Sequence, residues 1–275
     1  MNVSPNGVRA AAVIFAAGRG SRMTGYEGNK TLLPLKAEAS SYVGSRPFLH
    51  EILDNLPEGS KAVVVNYRKE DVVSATRSYD PAYVEQPVTD GTGGALLAAR
   101  WFLRQVPEDK VIVTMGDVPL IRRETFRSLL ECANRQAFAV LGFKPRDKAQ
   151  YGVLEMESDR VVRITEWRYW KEYAPERRAQ LRVFNAGIYA GDRAAILRFL
   201  EDLEARPHLV EKRRGGRTVS VKEYFITDLV ELMTSAGVAV GCHICEDETE
   251  VMGVDDPDAL EMVQREYSRR RLQGN

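Results

Sequence analysis

Cysteine, histidine and any surplus of one charge are what this chain of 275 residues has little of. Its three cysteines, Cys132, Cys242 and Cys245, are an odd number in a chain too large to need covalent staples, so no disulfide framework is expected and a reducing compartment fits. Lysine plus arginine equal aspartate plus glutamate at 39 each. That balance excludes an overall field able to hold nucleic acid or an anionic membrane, so any anionic ligand must be held locally. No stretch has the roughly 18 uninterrupted apolar residues of a membrane span, and the polar start from Met1 to Arg9 contains no apolar core of signal-peptide length. A cytoplasmic protein with neither a membrane nor a nucleic-acid partner is expected. Internal repeats and low-complexity segments are also missing, and the basic run Arg269-Arg270-Arg271 reads as a solvated helix end.

What is present is a rhythm of short β-branched runs and helical patterns. Ala11 to Phe15, Ala62 to Asn66 and Val111 to Met115 read as strands, and Phe48 to Leu56, Gly94 to Leu103 and Arg123 to Cys132 as helices. This alternation predicts an α/β fold, a Rossmann-like mixed and mainly parallel sheet flanked by helices. Strands at closer spacing follow, at Ala137 to Phe143, Gly152 to Met156 and Val161 to Thr165, and predict an antiparallel subregion in the second half. Val183 to Tyr189 reads as a strand and Asp192 to Glu204 as a helix. A helix near Lys222 to Ser235, a strand near Val238 to Ile244 and a final helix from Asp256 to about Arg270 complete the pattern. Two segments read as loops: Lys36 to Arg46, and the charged stretch Arg206 to Arg217 with Pro207 and the pair Gly215-Gly216.

The strongest local pattern is Ala16-Ala17-Gly18-Arg19-Gly20-Ser21-Arg22-Met23, directly after the first strand. Glycines at a strand end let the backbone approach a ligand and offer its amides to phosphate oxygens. The pattern lacks the third glycine of a dinucleotide fingerprint and the Gly-Lys-Ser/Thr of a P-loop. In their place stand two cations, Arg22 and then Lys30 ahead of Leu32-Leu33-Pro34.

This block resembles the signature of the sugar nucleotidyltransferase superfamily, and residues from about Arg9 to Tyr267 are similar to the N-acetylglucosamine-1-phosphate uridylyltransferases within it. The family's base-contacting glutamine and Gly-Thr-Gly resemble Gln86 and Gly91-Thr92-Gly93. Its metal-binding aspartate resembles Asp117 in Met115-Gly116-Asp117-Val118-Pro119-Leu120. Its sugar-contacting Tyr-Gly, Glu and Asn-x-Gly resemble Tyr151-Gly152, Glu166 and Asn185-Ala186-Gly187, and its last two site segments resemble residues 223–228, which include Thr227, and 250–255. Members usually have asparagine at the position of Asp255, tyrosine at that of Met115, and one residue fewer between the signature arginine and lysine. The family's C-terminal acetyltransferase β-helix is not expected within these 275 residues.

The resemblance implies one nucleotidyltransferase domain over 1–275, with a nucleotide-binding half at about 9–143, a sugar-binding half at about 144–255 and a C-terminal helix and tail at 256–275. It implies Arg22, Lys30 and Asp117 as catalytic residues, and Ala16, Ala17, Gly18, Gly20, Gln86, Gly91 and Thr92 as nucleotide-binding. Gly152, Glu166, Asn185 and Thr227 would bind the sugar, and Asp117 and Asp255 a magnesium ion. The implied reaction joins UMP from UTP to N-acetylglucosamine 1-phosphate and releases pyrophosphate; both substrates are small molecules, and the oligomeric state stays open.

Charge supports this reading independently. Two phosphorylated substrates bring several negative charges into one cleft of a neutral protein, and magnesium needs only one or two carboxylates beside water and phosphate. The sugar-phosphate oxygen is already ionised, so no histidine is required as a base, and His50 and His208 are given no role. Asp255 also reads as exposed beside a helix cap at Asp256 or Asp258. Cys242-His243-Ile244-Cys245 has the spacing of a zinc knuckle, but strand geometry sends its cysteines to opposite faces and no second pair exists. A cytidylyltransferase for phosphocholine or a related phosphorylated alcohol shares the Gly18-to-Lys30 pattern. A non-catalytic nucleotide-sugar sensor predicts loss of Asp117, Arg22 or Lys30, all of which are present. A dinucleotide-dependent oxidoreductase needs a ribose-binding acid that the second strand lacks.

Overall fold

A computed structural model describes residues 9–148, 150–214 and 217–273. The first βα rhythm comprises β1 (Ala11–Phe15), a hairpin of β2 (Pro34–Ser40) and β3 (Val43–Pro47), α1 (Phe48–Asn55), β4 (Lys61–Val65), α2 (Lys69–Thr76) and β5 (Ala82–Glu85). It continues through α3 (Thr92–Ala98), α4 (Arg100–Gln105), β6 (Lys110–Met115), α5 (Arg123–Arg135) and β7 (Phe138–Phe143). The second half holds β8 (Val153–Glu157), β9 (Arg160–Thr165), α6 (Trp167–Trp170), α7 (Pro175–Gln180), β10 (Phe184–Asp192) and α8 (Arg193–Ala205). A second hairpin, β11 (His208–Arg214) and β12 (Arg217–Glu223), precedes α9 (Asp228–Ser235), β13 (Val240–Cys245) and α10 (Pro257–Gln273).

Nine of the described strands form one sheet in the order β5-β4-β1-β6-β10-β7-β13-β9-β8. Strands β5, β4, β1 and β6 are parallel, and β13 is parallel to β7; β10 and β9 run against their neighbours. The sheet is therefore mixed and mainly parallel in direction: β10 and β9 run against the other strands, and every antiparallel pairing in it involves one of those two second-half strands, in keeping with the rhythm.

Alternation along the strands divides the core into two layers. Ala12 and Ile14 of β1 join Val63 and Val65 of β4 on the face covered by α1 and α5. Ala11 and Val13 join Ala62 and Val64 on the opposite face, covered by α3, α4, α8 and α9. A smaller third cluster lies outside the sheet, where Leu260, Val263 and Tyr267 of α10 meet Met23, Leu33, Leu35, Phe48 and Val254.

Several expectations need correction. Lys36 to Arg46 is no loop: it lies within the β2–β3 hairpin. From His208 onward the described part of Arg206 to Arg217 likewise belongs to the β11–β12 hairpin, with Gly215 and Gly216 outside the described residues. Both hairpins stand off the main sheet, so neither needed an alternating apolar face to form. The helix expected from Lys222 starts only at Asp228, because Lys222 and Glu223 complete β12. The helix expected over Gly94 to Leu103 is divided at Ala99, where ψ rises to 0°. Among the described residues no helix is long and apolar enough to cross a membrane.

Candidate active site

The site is built where β1 and β6 end side by side. The Gly116 amide donates to the Phe15 carbonyl at 2.9 Å, which fixes Asp117 beside the Ala16 to Gly20 turn. Ala16 and Ala17 are buried, and the backbone of Ala16, expected to meet the nucleotide, is already used, its amide donating to the Val64 carbonyl at 2.8 Å and its carbonyl accepting from Asn29 at 2.9 Å, whereas the surroundings of Gly18 are open. Gly20 has φ +61°, and a Cβ there would lie 3.1 Å from the Lys30 side chain. Glycine at this position satisfies a left-handed backbone and lets the lysine stem pass.

Lys30 is aimed by a residue that the sequence reading missed. Asn29 is fully buried; its amide donates to the carbonyls of Ala16 and Tyr67 at 2.9 and 2.8 Å, and its Oδ1 accepts from the Thr31 amide and hydroxyl. It caps the 3-10 turn Lys30–Leu32 and ties it to the end of β1. An asparagine just before a short apolar run is a helix-start pattern, the one signal that points to it.

Four predicted residues converge here. The Lys30 ammonium pairs with the Asp117 carboxylate and, at 2.8 Å, with Asp255, which also accepts from Arg22 at 2.8 Å. Asp255 is not the helix cap: Asp256 caps α10 by accepting from the Ala259 amide at 2.9 Å. Burial opposes the charge on Lys30, but the two carboxylates outweigh it and hold the ammonium above its ordinary range. Burial likewise opposes ionisation of Asp255, and Lys30 and Arg22 overcome it, holding the carboxyl below the usual range. Asp117 and Asp255 provide the hard oxygen donors that magnesium takes, and among the described residues no third metal-ligating side chain joins them. The rest of a magnesium shell would then come from water and phosphate.

On one side of this cluster, Gln86, Gly91 and Thr92 lie together. The Gln86 side chain is buried, and its amide nitrogen donates to Asp90 Oδ1 and to the Gly91 carbonyl at 2.8 and 3.1 Å. Thr92 Oγ1 accepts from the Ile226 amide at 3.2 Å. A Cβ on Gly91 would lie 2.4 Å from the Tyr224 carbonyl, so two loops from the two halves of the chain meet here at backbone distance.

The other side gathers Gly152, Glu166, Asn185 and Thr227. The Asn185 backbone N–H donates to the Gly152 carbonyl at 2.8 Å, and the Thr227 hydroxyl donates to Glu166 at 3.0 Å. The Asn185 side chain bonds Tyr189 Oη at 2.8 Å and accepts from the Gly187 amide at 3.0 Å; Gly187 in turn lies against Met115, two residues before Asp117. Tyr189, buried in the sheet, is a second residue that sequence reading missed.

Desolvation pushes the Glu166 carboxyl above its usual range. Between the unfolded value of about 4.3 and that raised value the folded state binds the extra proton, so stability falls as pH rises through this window and stays lowered above it. Glu166→Gln is therefore expected to melt higher than wild type at pH 7, with the difference vanishing near pH 4. Equal melting temperatures at pH 7 would show that the buried charge costs nothing.

The cysteines and His208 stand apart from the cluster of Arg22, Lys30, Asp117 and Asp255. Cys242 and Cys245 are free thiols that burial pushes up to about 12, and His208 is bonded to Asp228 at 2.7 Å.

Residues 12–207 match the family model of the MobA-like NTP transferase domain. The chain belongs to that family. Its similarity to curated proteins runs further: it is 33% identical over 273 residues to the bifunctional protein GlmU of Halorhodospira halophila, covering 96% of this chain and 51% of that one. It is 30% identical over 263 residues to GlmU of Cereibacter sphaeroides (strain ATCC 17025), covering 94% and 52%. The chain thus spans about half the length of these curated relatives. Among solved structures, the uridine diphosphate N-acetylglucosamine pyrophosphorylase from Trypanosoma brucei superposes with a TM-score of 0.70 at 12% identity, covering 93% of this chain and 64% of that one. A CMP:2-keto-3-deoxy-manno-octonic acid synthetase complexed with CTP gives 0.61 at 17% identity, covering 95% and 99%. At these identities the likeness is one of fold: a central mixed sheet flanked by helices.

Proposed function

We propose that this chain transfers UMP from UTP to N-acetylglucosamine 1-phosphate and releases pyrophosphate. The observation that carries the reading is the convergence of two cations and two carboxylates, Arg22, Lys30, Asp117 and Asp255, at the ends of two parallel strands. The GlmU relatives support the choice of reaction. Residues 9–143 would hold the nucleotide and 144–255 the sugar, within one domain.

The ionised phosphate oxygen of the sugar attacks the α-phosphorus in line, the bond to the β-phosphate oxygen breaks, and pyrophosphate leaves with that electron pair. No general base is needed. Backbone amides of the Gly18 turn and the cations of Arg22 and Lys30 offset charge on the triphosphate; the Arg22 side chain, 65% exposed, is within reach of an incoming ligand. Magnesium held by Asp117 and Asp255 would supply further charge neutralisation at phosphate oxygens. Gln86 would meet the base. Glu166, whose carboxylate can accept two hydroxyl hydrogen bonds, would hold the sugar ring with Asn185.

The deciding experiment is a panel of nucleoside triphosphates against N-acetylglucosamine 1-phosphate, glucose 1-phosphate and phosphocholine, with pyrophosphate release as the readout. UTP with the amino sugar phosphate is expected to be fastest; turnover of phosphocholine with CTP and of no hexose phosphate overturns the reading in favour of a cytidylyltransferase. Glu166→Ala is expected to raise KM for the sugar phosphate about tenfold, roughly 1.4 kcal/mol of binding, and to leave KM for the nucleotide nearly unchanged. Loss of nucleotide affinity instead would remove Glu166 from the sugar side.

A further inference from the structure

Away from the site just described, α10 and the start of α5 enclose a cleft of about 370 Å³, within the range of small-molecule sites. Arg122, Arg123, Arg270 and Arg271 line it, and none of the four residues of the catalytic cluster does. Two of these arginines are structural. Arg122 is committed to Asp247 and Glu250, and Arg270 to Asp247, Glu266, Thr249 and the Leu120 carbonyl. The other two are not neutralised: among the described residues Arg123 bonds only the Asp54 carbonyl, and Arg271 only the Tyr267 hydroxyl. A guanidinium has five donors in a planar fork suited to phosphate, so both keep donors to spare.

Two glutamates share the lining but do not cancel this charge. Glu51 is already paired with Arg46 at 2.7 Å, and Glu124 is exposed in the first turn of α5. The placement of Arg122 and Arg123 is also unfavourable as it stands. They occupy the N-cap and first position of a 13-residue helix, whose positive end disfavours cations. Glu250 relieves part of this by accepting from the Arg122 amide at 3.1 Å. An anion in the cleft would meet the two uncommitted guanidinium groups.

We propose that this cleft is a second anion site, for the phosphate group of a small molecule, and that its occupancy modulates the reaction. The cleft's walls explain the coupling. Leu120, held by Arg270 at 2.8 Å, lies three residues after Asp117, and the helix carrying Tyr267, Arg270 and Arg271 begins two residues after Asp255. A ligand that draws the two walls together bears on both carboxylate-bearing segments. The proposal does not depend on which nucleotide or sugar the enzyme uses.

The test is calorimetric titration of the full chain with inorganic phosphate and, separately, with glycerol 3-phosphate, for wild type, Arg123→Gln/Arg271→Gln and Asp117→Ala. Wild type and Asp117→Ala are expected to bind at least one of the two probes, and the double arginine variant to bind it at least tenfold more weakly; the tighter probe tells free phosphate from a phosphate ester. The double variant should keep basal turnover, while the effective probe should change wild-type turnover at least twofold and the variant's not at all. Arg271→Gln alone, an exposed position on α10, carries the same expectation at about threefold weaker binding should the double variant fail to fold. Binding that is unaffected by the arginine substitutions, or no binding to wild type, overturns the site; binding without a change in turnover overturns the modulation.

Discussion

Asp117→Ala is expected to abolish pyrophosphate release while the protein stays folded. Asp117 stands one residue beyond Gly116, which is bonded to the end of β1, and it shares Lys30 with Asp255. The substitution removes one of two carboxylates available to magnesium and one of the two partners of the ammonium, while Asp255 keeps both cations. Retention of more than about a tenth of the wild-type rate, a barrier change of only ~1.4 kcal/mol, would take Asp117 out of the mechanism. Circular dichroism and a melting curve on the same sample distinguish lost chemistry from lost fold.

Lys30→Ala is expected to lower turnover on the order of a hundredfold, the usual cost of removing a preorganised cation from a site of charge development, ~3 kcal/mol. It should also destabilise the protein, because two partly buried carboxylates lose the ammonium between them. That cost is about 2 kcal/mol, below the figure for a wholly buried pair since the Asp255 side chain is 42% exposed. One further consequence separates this residue from an ordinary structural ion pair. With the ammonium gone, a divalent cation meets no competitor for Asp117 and Asp255, so millimolar magnesium should raise the melting temperature of the variant more than that of wild type. A magnesium-independent melting temperature in both proteins would remove the metal from this pair. Arg22→Ala should lower turnover comparably and leave the sugar-phosphate KM little changed; an effect confined to KM would contradict its assignment to the leaving group.

The legible parts of the molecule were those whose side chains are buried in a periodic way. β1, β4 and β6 are apolar on both faces because both faces are covered, and their ends located the glycine turn and Asp117. The β2–β3 hairpin was illegible for the opposite reason: from Lys36 onward β2 is exposed, so no alternation marks it. The edge strand β5, four residues long, and the short helix α2, with only Val72 and Thr76 buried, carry too little pattern to find. In the site, charge and order along the chain located Arg22, Lys30 and Asp117. They did not reveal how Lys30 is held, because the four bonds of Asn29 run to backbone groups at Ala16 and Tyr67 and to Thr31, and a carbonyl partner leaves no mark in a sequence. That the cap of α10 belongs to Asp256 and not to Asp255 was likewise visible only in the geometry.

The third hydrophobic cluster gives α10 a hold over chemistry that it does not perform. Lys30 and Asp255 are 225 residues apart in sequence, and Asp255 reaches the site on a segment anchored by Val254, Leu260, Val263 and Tyr267 against Met23, Leu33, Leu35 and Phe48. That anchor lies outside the two layers of the main sheet, so it is expected to open at a free energy below that of global unfolding. Each opening withdraws one carboxylate and leaves the sheet in place. Amide exchange at Val254 and Leu260, whose N–H groups are held by the Asp117 and Asp256 carbonyls, therefore reports the free energy of that opening. On warming, activity is expected to fall before the sheet unfolds; a loss of activity coincident with global melting would show that the helix does not open alone.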